Sequence, residues 1–545
     1  MDKTFDLLQE GEHTPIGSKE IPIHWIFDVR FCLTRKARLV AGGHKNKNVP
    51  KYMTYSSVVS RESVRLCFLI ASLNDLDILA ADIGNAYLNA VCKEKVHTKV
   101  DQVLFGPEHE GEIAVIVRAL YGLKTSGNSW RMTLSLAIKE ELGFTQCVAD
   151  PDVYFKMKVN KNGNKYYAYL VTYVDDILVI DINPQSTMDS ISRLYRLKDG
   201  ISFPKMYLGT DVRKWTFEDQ GQGYALGANS YLKEALKVAE KQKNRLKMTL
   251  PNGRANGKDT PFSSSTYKPE LELTPLCNYE EMNIYQNLIG ILRWLIELGR
   301  IDILLEVSLL SQYLAAPRVG HLQQIFNIFR YLKHHMSSWM ITDSLDYEIE
   351  WTPKNGETTS PWDRAKAMKE LYSDAIDELP PNMPQPLGKP INLNIFVDAD
   401  HAGNKITRRS HTGIIIFGNM TPINWLSKRQ NTVETSTFSS EMIALRIAIE
   451  MTDGLRYKLR MLGVPVEEPA RLYCDNESVV KNTTFPESAL KKKHCSIAYH
   501  KIRESVASKK VIIFHESTNS NLADLLTKVL PFEKRNKIIR SILHR

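Results

Sequence analysis

The sequence predicts an α/β (α+β) chain made of several structural units, and three observations carry that prediction. Residues 20–185 alternate stretches of strand and helix periodicity. The segment 276–336 is almost purely helical in pattern. After the Pro-rich stretch "ELPPNMPQPLGKP" (378–390), the strand signal returns in "INLNIFVD" (391–398). A chain of 545 residues also exceeds what one hydrophobic core sustains, so three or four units are expected.

Taken in order, "ESVRLCFLIASLN" (62–74) has helical periodicity, and "LDILAADIGNAYLNA" (76–90) reads as a strand, a turn and a short helix. "KYYAYLVTYV" and "ILVIDI" are β-rich runs on either side of two aspartates, which predicts a hairpin. From 240 to 275 the composition turns polar and basic, as in a surface loop. "YQNLIGILRWLIELGRIDILLEVSLLSQYLA" and "GHLQQIFNIFRYLKHHM" are amphipathic helices joined by the stop signal "APRVG". The segment 351–390 reads as a linker, and no internal repeat is apparent.

Hydrophobic residues at 43% and charged residues at 24% are ordinary for folded protein. The net charge of +9 suits a polyanionic partner. Seven cysteines (Cys32, Cys67, Cys92, Cys147, Cys277, Cys474, Cys495) form no CxxC pair, which argues against a disulfide framework and fits a reducing compartment. No apolar run approaches the ~20 residues of a membrane span, so no membrane partner is expected. The start "MDKTFDLLQEGEH" lacks the pattern of a signal peptide, and a soluble intracellular protein is the expectation.

Two acidic constellations bear chemistry. Asp175 and Asp176 are adjacent in "YVDDILVI" (173–180), and Asp82 ends the strand of "ADIGNAYLNA", with Tyr87 five residues on. By itself the pair reads equally as a solvated hairpin turn. Together with a third carboxylate it suits two hard divalent cations of the kind that join a nucleotide to a 3′-hydroxyl. Downstream, Asp398 ends "INLNIFVD", Glu441 shares a helical face with Leu445 and Ala448, Asp475 ends the strand in "RLYCDN", and Asp524 opens the helix "NLADLLTKVL". Ser436 or Thr437 is placed to cap the helix of Glu441. Two strand ends and two helix starts would gather these four carboxylates at one edge of a sheet, as two-metal hydrolysis of RNA requires.

"KARLVAGG", "ADIGNAYLNA", "RALYGLKTSG", "DPDVYF", "YVDDILVI" and "YLG" (207–209) stand in the order found in reverse transcriptases of copia-type LTR retrotransposons, which the chain resembles. "VDADHAGN", "RRSHTGIIIF", "WLSKRQNTVETSTFSSEMIAL", "CDNESV", "KKHCSIAYHKIRE" and "LADLLTK" resemble the RNase H domain that follows in the same Pol polyproteins. The resemblance runs from about residue 20 to the end. It implies a right-hand polymerase, with fingers and palm over 1–275, a helical thumb over 276–340 and a connection over 341–390, then an RNase H-like domain over 391–545. It further implies RNA-directed DNA polymerase and ribonuclease H activities, with Asp82, Asp175 and Asp176 as one ligand set and Asp398, Glu441, Asp475 and Asp524 as the other. Each would take two Mg²⁺ ions, or Mn²⁺. Tyr87 matches the residue that excludes ribonucleotides, and Lys36 and Arg38 fall where the family contacts the triphosphate.

The implied partners are an RNA template, a DNA primer, the RNA–DNA hybrid and dNTPs, with a homodimer or other Pol products as further associations. The implied location is a cytoplasmic virus-like particle, or the nucleus. Family regions for capsid, protease and integrase are not in the sequence, so a processed product or a fragment of a genomic copy is expected. A catalytically inactive relic, or a domesticated nucleic-acid-binding scaffold, is the alternative.

Several residues keep two readings. Tyr87 also suits a core, and Lys36 and Arg38 suit a solvated strand. Asp400 rivals Asp398, although the family pattern favours the latter. His515 is a structural histidine or an aid to product release, and Trp425 a core residue or a stacking platform. His494 and His500 near Cys495 fit no trusted zinc spacing. Thr125 stands where relatives have Gln, and Ser496 where they often have Asp. The basic segments "TRKAR", "KRQ", "TRRS" and "ALKKKH" suit phosphate contacts or solvated faces.

Overall fold

Apolar residues that alternate along the sequence pair into sheets, and those recurring at helical spacing cover them. The computed structural model describes residues 4–29, 35–47, 49–217, 221–248, 259–347 and 359–545. Thr34 of the first basic segment, residues 249–258 of the expected surface loop and residues 351–358 of the expected linker lie outside that set. Contacts divide the chain into two units, Met1–Ser63 with Leu76–Phe203, and Val64–Asp75 with Pro204–Arg545. Helix α1 (Arg61–Leu73), expected from its periodicity, therefore lies mostly in the second.

In the first unit, strands β1 (Asp77–Ile83), β2 (Thr145–Gln146), β3 (Val153–Val159), β4 (Lys165–Tyr173), β5 (Asp176–Asp181) and β6 (Leu197–Ser202) make one sheet. Its order is β6-β1-β5-β4-β3-β2, and its pairs are antiparallel. The face bearing Ala168, Leu170, Ile177 and Val179 packs under Trp130, Leu134 and Ile138 of α2 (Ser126–Glu140) and Met188 and Ile191 of α3 (Pro184–Leu194). As expected, β4 and β5 form a hairpin, closed by the pair Tyr173 and Asp176 around a two-residue turn. A four-stranded sheet and the ribbon Ile23–Val29/Arg35–Ala41 complete the unit.

Besides α1, the second unit has a four-stranded sheet built from Met206–Tyr207, Thr210–Phe217, Gly221–Gly227 and Trp339–Ile341, and α4 (Asn229–Arg245). Residues 240–275 are not simply a surface loop, since α4 runs into them and Phe262 is fully buried. The helical block contains α5 (Tyr279–Glu297), α6 (Leu304–Leu310) and α7 (Val319–His334). The long helix read from the sequence breaks at Gly299, whose φ of +110° is closed to other residues and leads into a 3₁₀ turn, Ile301–Ile303. The expected linker contains α8 (Pro361–Leu371), capped by Ser360. Its Trp362 ring lies 5.3 Å from Phe514 of the last sheet, so the helix packs there although prolines surround it.

That last sheet joins β7 (Leu393–Asp400), β8 (His411–Gly418), β9 (Thr421–Arg429), β10 (Ala470–Cys474) and β11 (Val511–His515) in the order β9-β8-β7-β10-β11. The pairs β7–β10 and β10–β11 are parallel, and β9-β8-β7 is antiparallel. Helices α9 (Thr437–Met461), α10 (Glu477–Thr484), α11 (Ser496–Ala507) and α12 (Phe532–Arg540) accompany it. Among the described residues no helix is long and apolar enough to cross a membrane.

A buried ionic network joins α12 to the helical block. The Arg300 guanidinium donates to both carboxylate oxygens of Asp302, at 2.9 and 2.8 Å. Tyr331 and Arg545 add bonds of 2.9 Å each. Arg535 donates to Glu306 at 2.7 Å and to the Asp302 carbonyl. Although burial alone would raise the Asp302 carboxyl, Arg300 and Arg545 hold it well below the usual range.

Candidate active sites

The first acidic set assembles by strand register. Asp176 pairs with Asp82 across β5 and β1, and the Ile83 N–H donates to the Asp175 carbonyl at 2.8 Å. Burial, then the like charges of Asp175 and Asp82, push the Asp176 carboxyl up to about 6, with Lys198 opposing. Lys198 reaches within 3.9 Å of Asp82. A divalent cation bound by these hard carboxylate oxygens would remove the repulsion on Asp176.

The turn that presents the pair is strained. Val174 has a φ of +57°, an outlier for a β-branched residue, and its carbonyl accepts a 2.6 Å bond from the buried Trp130 indole. Tyr87 lies in a 3₁₀ turn (Ala86–Asn89) just beyond β1, half-buried, with Asp175 close enough to raise its phenol after burial has done so. Its ring stacks at a tilt on Tyr121, 4.7 Å between centroids. Arg38 is among the charges acting on Tyr121, so it lies near the set. Lys36 stands opposite Asp28 in the ribbon. Thr125 is buried, its backbone N–H and hydroxyl donating to Glu94 Oε1 at 2.9 and 3.1 Å, which makes it an anchor for the start of α2.

The second set converges from four elements. Asp398, on β7 two residues before its end, is fully buried; Glu441 enters from α9, whose N-cap is Ser436. Leu445 and Ala448 are buried along the same helix face. Asp475 follows β10 directly, and Asp524 sits in a short 3₁₀ turn (Leu522–Leu526) in place of the expected α-helix. Oxygens of Asp398, Asp475 and Asp524 lie within 4.8 Å of one another. The carboxyl ends of parallel strands are where such sheets bind ligands.

Burial pushes the Asp398 carboxyl up to about 6, with Asp524 and Asp475 adding and Lys528 opposing. Burial, then Asp398 and Asp475, raise Glu441 well above the carboxylate range, and its buried Oε2 has no hydrogen-bond partner. An orphaned buried oxygen facing like charges fits a site built for a cation. Lys528 donates to Asp398 at 3.1 Å and to Asp524 at 2.8 Å, while Thr527 also bonds Asp398 and Lys534 bonds Asp524. Sequence reasoning missed these three residues. The spacing of four between Asp524 and Lys528 is the signal that could have found one.

Other residues settle as follows. Asp400 is half-buried on β7 opposite His411, and the tight acidic group contains Asp398. His515 is exposed at the end of β11, its Nε2 at 3.3 Å from the Asp475 carbonyl. Trp425 is buried beneath the Arg65 guanidinium, 4.0 Å from its ring centre, and so belongs to the core. Ser496 is the half-buried first residue of α11.

Residues 2–251 match the family "Reverse transcriptase (RNA-dependent DNA polymerase)". The chain is 26% identical over 538 residues to the retrovirus-related Pol polyprotein from transposon RE1 of Arabidopsis thaliana, covering 96% of this chain and 32% of that protein. It is 24% identical over 536 residues to the corresponding polyprotein from transposon TNT 1-94 of Nicotiana tabacum, again over 96% of this chain and 35% of the relative. The chain thus spans about a third of the length of these curated relatives. Among solved structures, LC11-RNase H1 in complex with RNA/DNA hybrid is 18% identical, covering 25% of this chain and 94% of its own, with a TM-score of 0.20. Residues 2–251 thus match the reverse transcriptase family, and along nearly all of its length the chain is similar to retrotransposon Pol polyproteins of the copia type.

Proposed function

We propose that this chain is an RNA-directed DNA polymerase with ribonuclease H activity, which copies element RNA into DNA and degrades the RNA of the resulting hybrid. The observation that supports it most is the presence of two separate acidic sets, one in each unit, each built from carboxylates brought together across different elements. Asp82, Asp175 and Asp176 would hold Mg²⁺ in the first, and Asp398, Glu441, Asp475 and Asp524 in the second, with Mn²⁺ as a substitute. Two ions per site supply activation of the attacking hydroxyl or water and stabilisation of the leaving oxygen.

The side chains themselves do the positioning. Register pairing fixes Asp176 opposite Asp82, and the strained turn holds Asp175 beside them. Tyr87, next to Asp175, would meet the sugar of the incoming dNTP, and Arg38 its phosphates. Lys36 is part of that reading as a further phosphate contact. In the second site, Lys528 and Thr527 orient Asp398. An RNA template with a DNA primer, and then the RNA–DNA hybrid, are the substrates of this reading. A virus-like particle in the cytoplasm is its setting, with a homodimer or other Pol products as partners.

Primer extension on an RNA template with Mg²⁺, run beside Asp175→Asn, tests the first activity. The wild-type chain extends and the variant does not; equal incorporation by both would sink the assignment. Hybrid cleavage with Glu441→Gln tests the second, and cleavage that survives the substitution removes Glu441 from it. Each variant retains the activity of the other site.

A further inference from the structure

A further group of metal-ligating side chains lies in the second unit, made of residues that belong to neither acidic set. Glu434 in the β9–α9 connection, and His494 and Cys495 in the 3₁₀ turn before α11, bring one ligand atom each to within 4.8 Å of one another. The sequence had raised His494, His500 and Cys495 together. His500 is not in the group; its Nδ1 bonds the Tyr372 hydroxyl at 2.7 Å. Glu434, sixty residues upstream of His494, takes its place.

The donors are oriented for a common centre. Thr432 donates to Glu434 Oε1 at 2.9 Å, which leaves Oε2 to face His494 Nε2 at 4.0 Å. Cys495 is a free thiol, 5% exposed. Ligand bonds of about 2.0–2.3 Å at tetrahedral angles put donors roughly 3.3–3.8 Å apart. The Glu434–His494 separation is close to that spacing, and the half-exposed His494 ring has room to turn toward it. The two segments already meet, since Ser439 Oγ is 3.1 Å from His494 Nε2 and Lys492 bonds Ser436, the cap of α9.

We propose that Glu434, His494 and Cys495 form a site for a thiophilic divalent cation of the zinc class, which fastens the β9–α9 connection to the turn before α11. Thiolate, imidazole and carboxylate together select zinc over magnesium, with the fourth position open to water or to Ser439. The role is structural: the site pins the first turn of the helix that carries Glu441. It is independent of whether that glutamate serves hydrolysis.

The test is cobalt titration of the full chain in excess Mg²⁺, which occupies oxygen-only sites. The expected result is a near-ultraviolet thiolate-to-cobalt charge-transfer band with the strong visible absorption of a four-coordinate ion, both abolished by added Zn²⁺. Cys495→Ser removes the band, and Glu434→Gln or His494→Gln weakens cobalt binding by at least ~10-fold. Cys474→Ser leaves the band in place, although that thiol lies within 4.8 Å of the Glu441 and Asp475 carboxylates. Absence of the band in the wild-type chain overturns the proposal, as does its loss in Cys474→Ser with persistence in Cys495→Ser. As a folding control, Zn²⁺ raises the melting temperature of the wild type but not of Cys495→Ser. The metal-free melting temperatures of the two agree, and an equal Zn²⁺ response in both also overturns the site.

Discussion

His411, buried on β8, shows how neighbours dictate a single proton. The hydroxyl of Ser427 donates to the Leu526 carbonyl at 2.7 Å, so the 2.8 Å contact with His411 Nε2 requires the imidazole to donate. Burial, and then Arg429, lower this histidine to about 3 from an ordinary value of 6.5. The unfolded chain therefore takes up a proton below pH 6.5 that the folded chain refuses until pH 3. Stability contributed by neutral His411 is full above pH 6.5 and falls as the pH drops toward 3, by at most about 1.4 kcal/mol per pH unit. His411→Gln keeps a donor near Ser427 and removes the titration. Denaturant unfolding at pH 5 and pH 7.5 then shows a smaller acid penalty in the variant, and identical penalties would refute the account.

Among elements, the β4–β5 hairpin carries the most consequence. A β-branched residue in the left-handed region costs on the order of 1–2 kcal/mol, so the turn at Val174 needs an external hold. Trp130 supplies it from α2. Trp130→Phe keeps an aromatic ring and deletes the donor, removing the bond to a half-buried carbonyl at a cost of about 0.5–1.5 kcal/mol. We expect primer extension to fall several-fold while hybrid cleavage is unchanged; undiminished extension would show that the turn holds itself.

This hairpin was legible in the sequence because period-two runs on both sides of two residues specify strand, turn and register at once. Asp82 followed, since a strand ending in a carboxylate must find its place in the same sheet. The edge positions of Asp398 and Asp475 were readable for the same reason. Periodicity reports which face is buried but not what buries it. Hence the Thr125–Glu94 bond, the contact of Lys534 with Asp524 and the approach of Glu434 to His494 were beyond it. Helix α8 stayed hidden because prolines nearby outweighed its own propensity, and the break at Gly299 because apolar periodicity continues across a change of direction.

For the second unit as a whole, the network around Asp302 and Glu306 matters more than any one helix. The sequence divided this region into thumb, connection and RNase H-like parts, yet Arg535 of α12 bonds Glu306 of α6 with both groups about 1% exposed. Removing one partner of a buried ion pair costs about 3–5 kcal/mol, because the other charge is left unsolvated. Arg535→Met is therefore expected to destabilise the second unit by that amount in urea unfolding, and a change below about 0.5 kcal/mol would deny the network its role.

For genetics, that network has an unexpected reach. A stop codon that deletes residues 532–545 spares every carboxylate of both acidic sets, yet it removes Arg535 and Arg545 together. Glu306 and Asp302 would then be buried with fewer counter-charges, and the helical block near residue 300 would fail although its own sequence is intact. Such an allele would map to residues 532–545 and express its defect near residue 300. Separating the two proposed activities thus calls for point substitutions; a truncation would confound them.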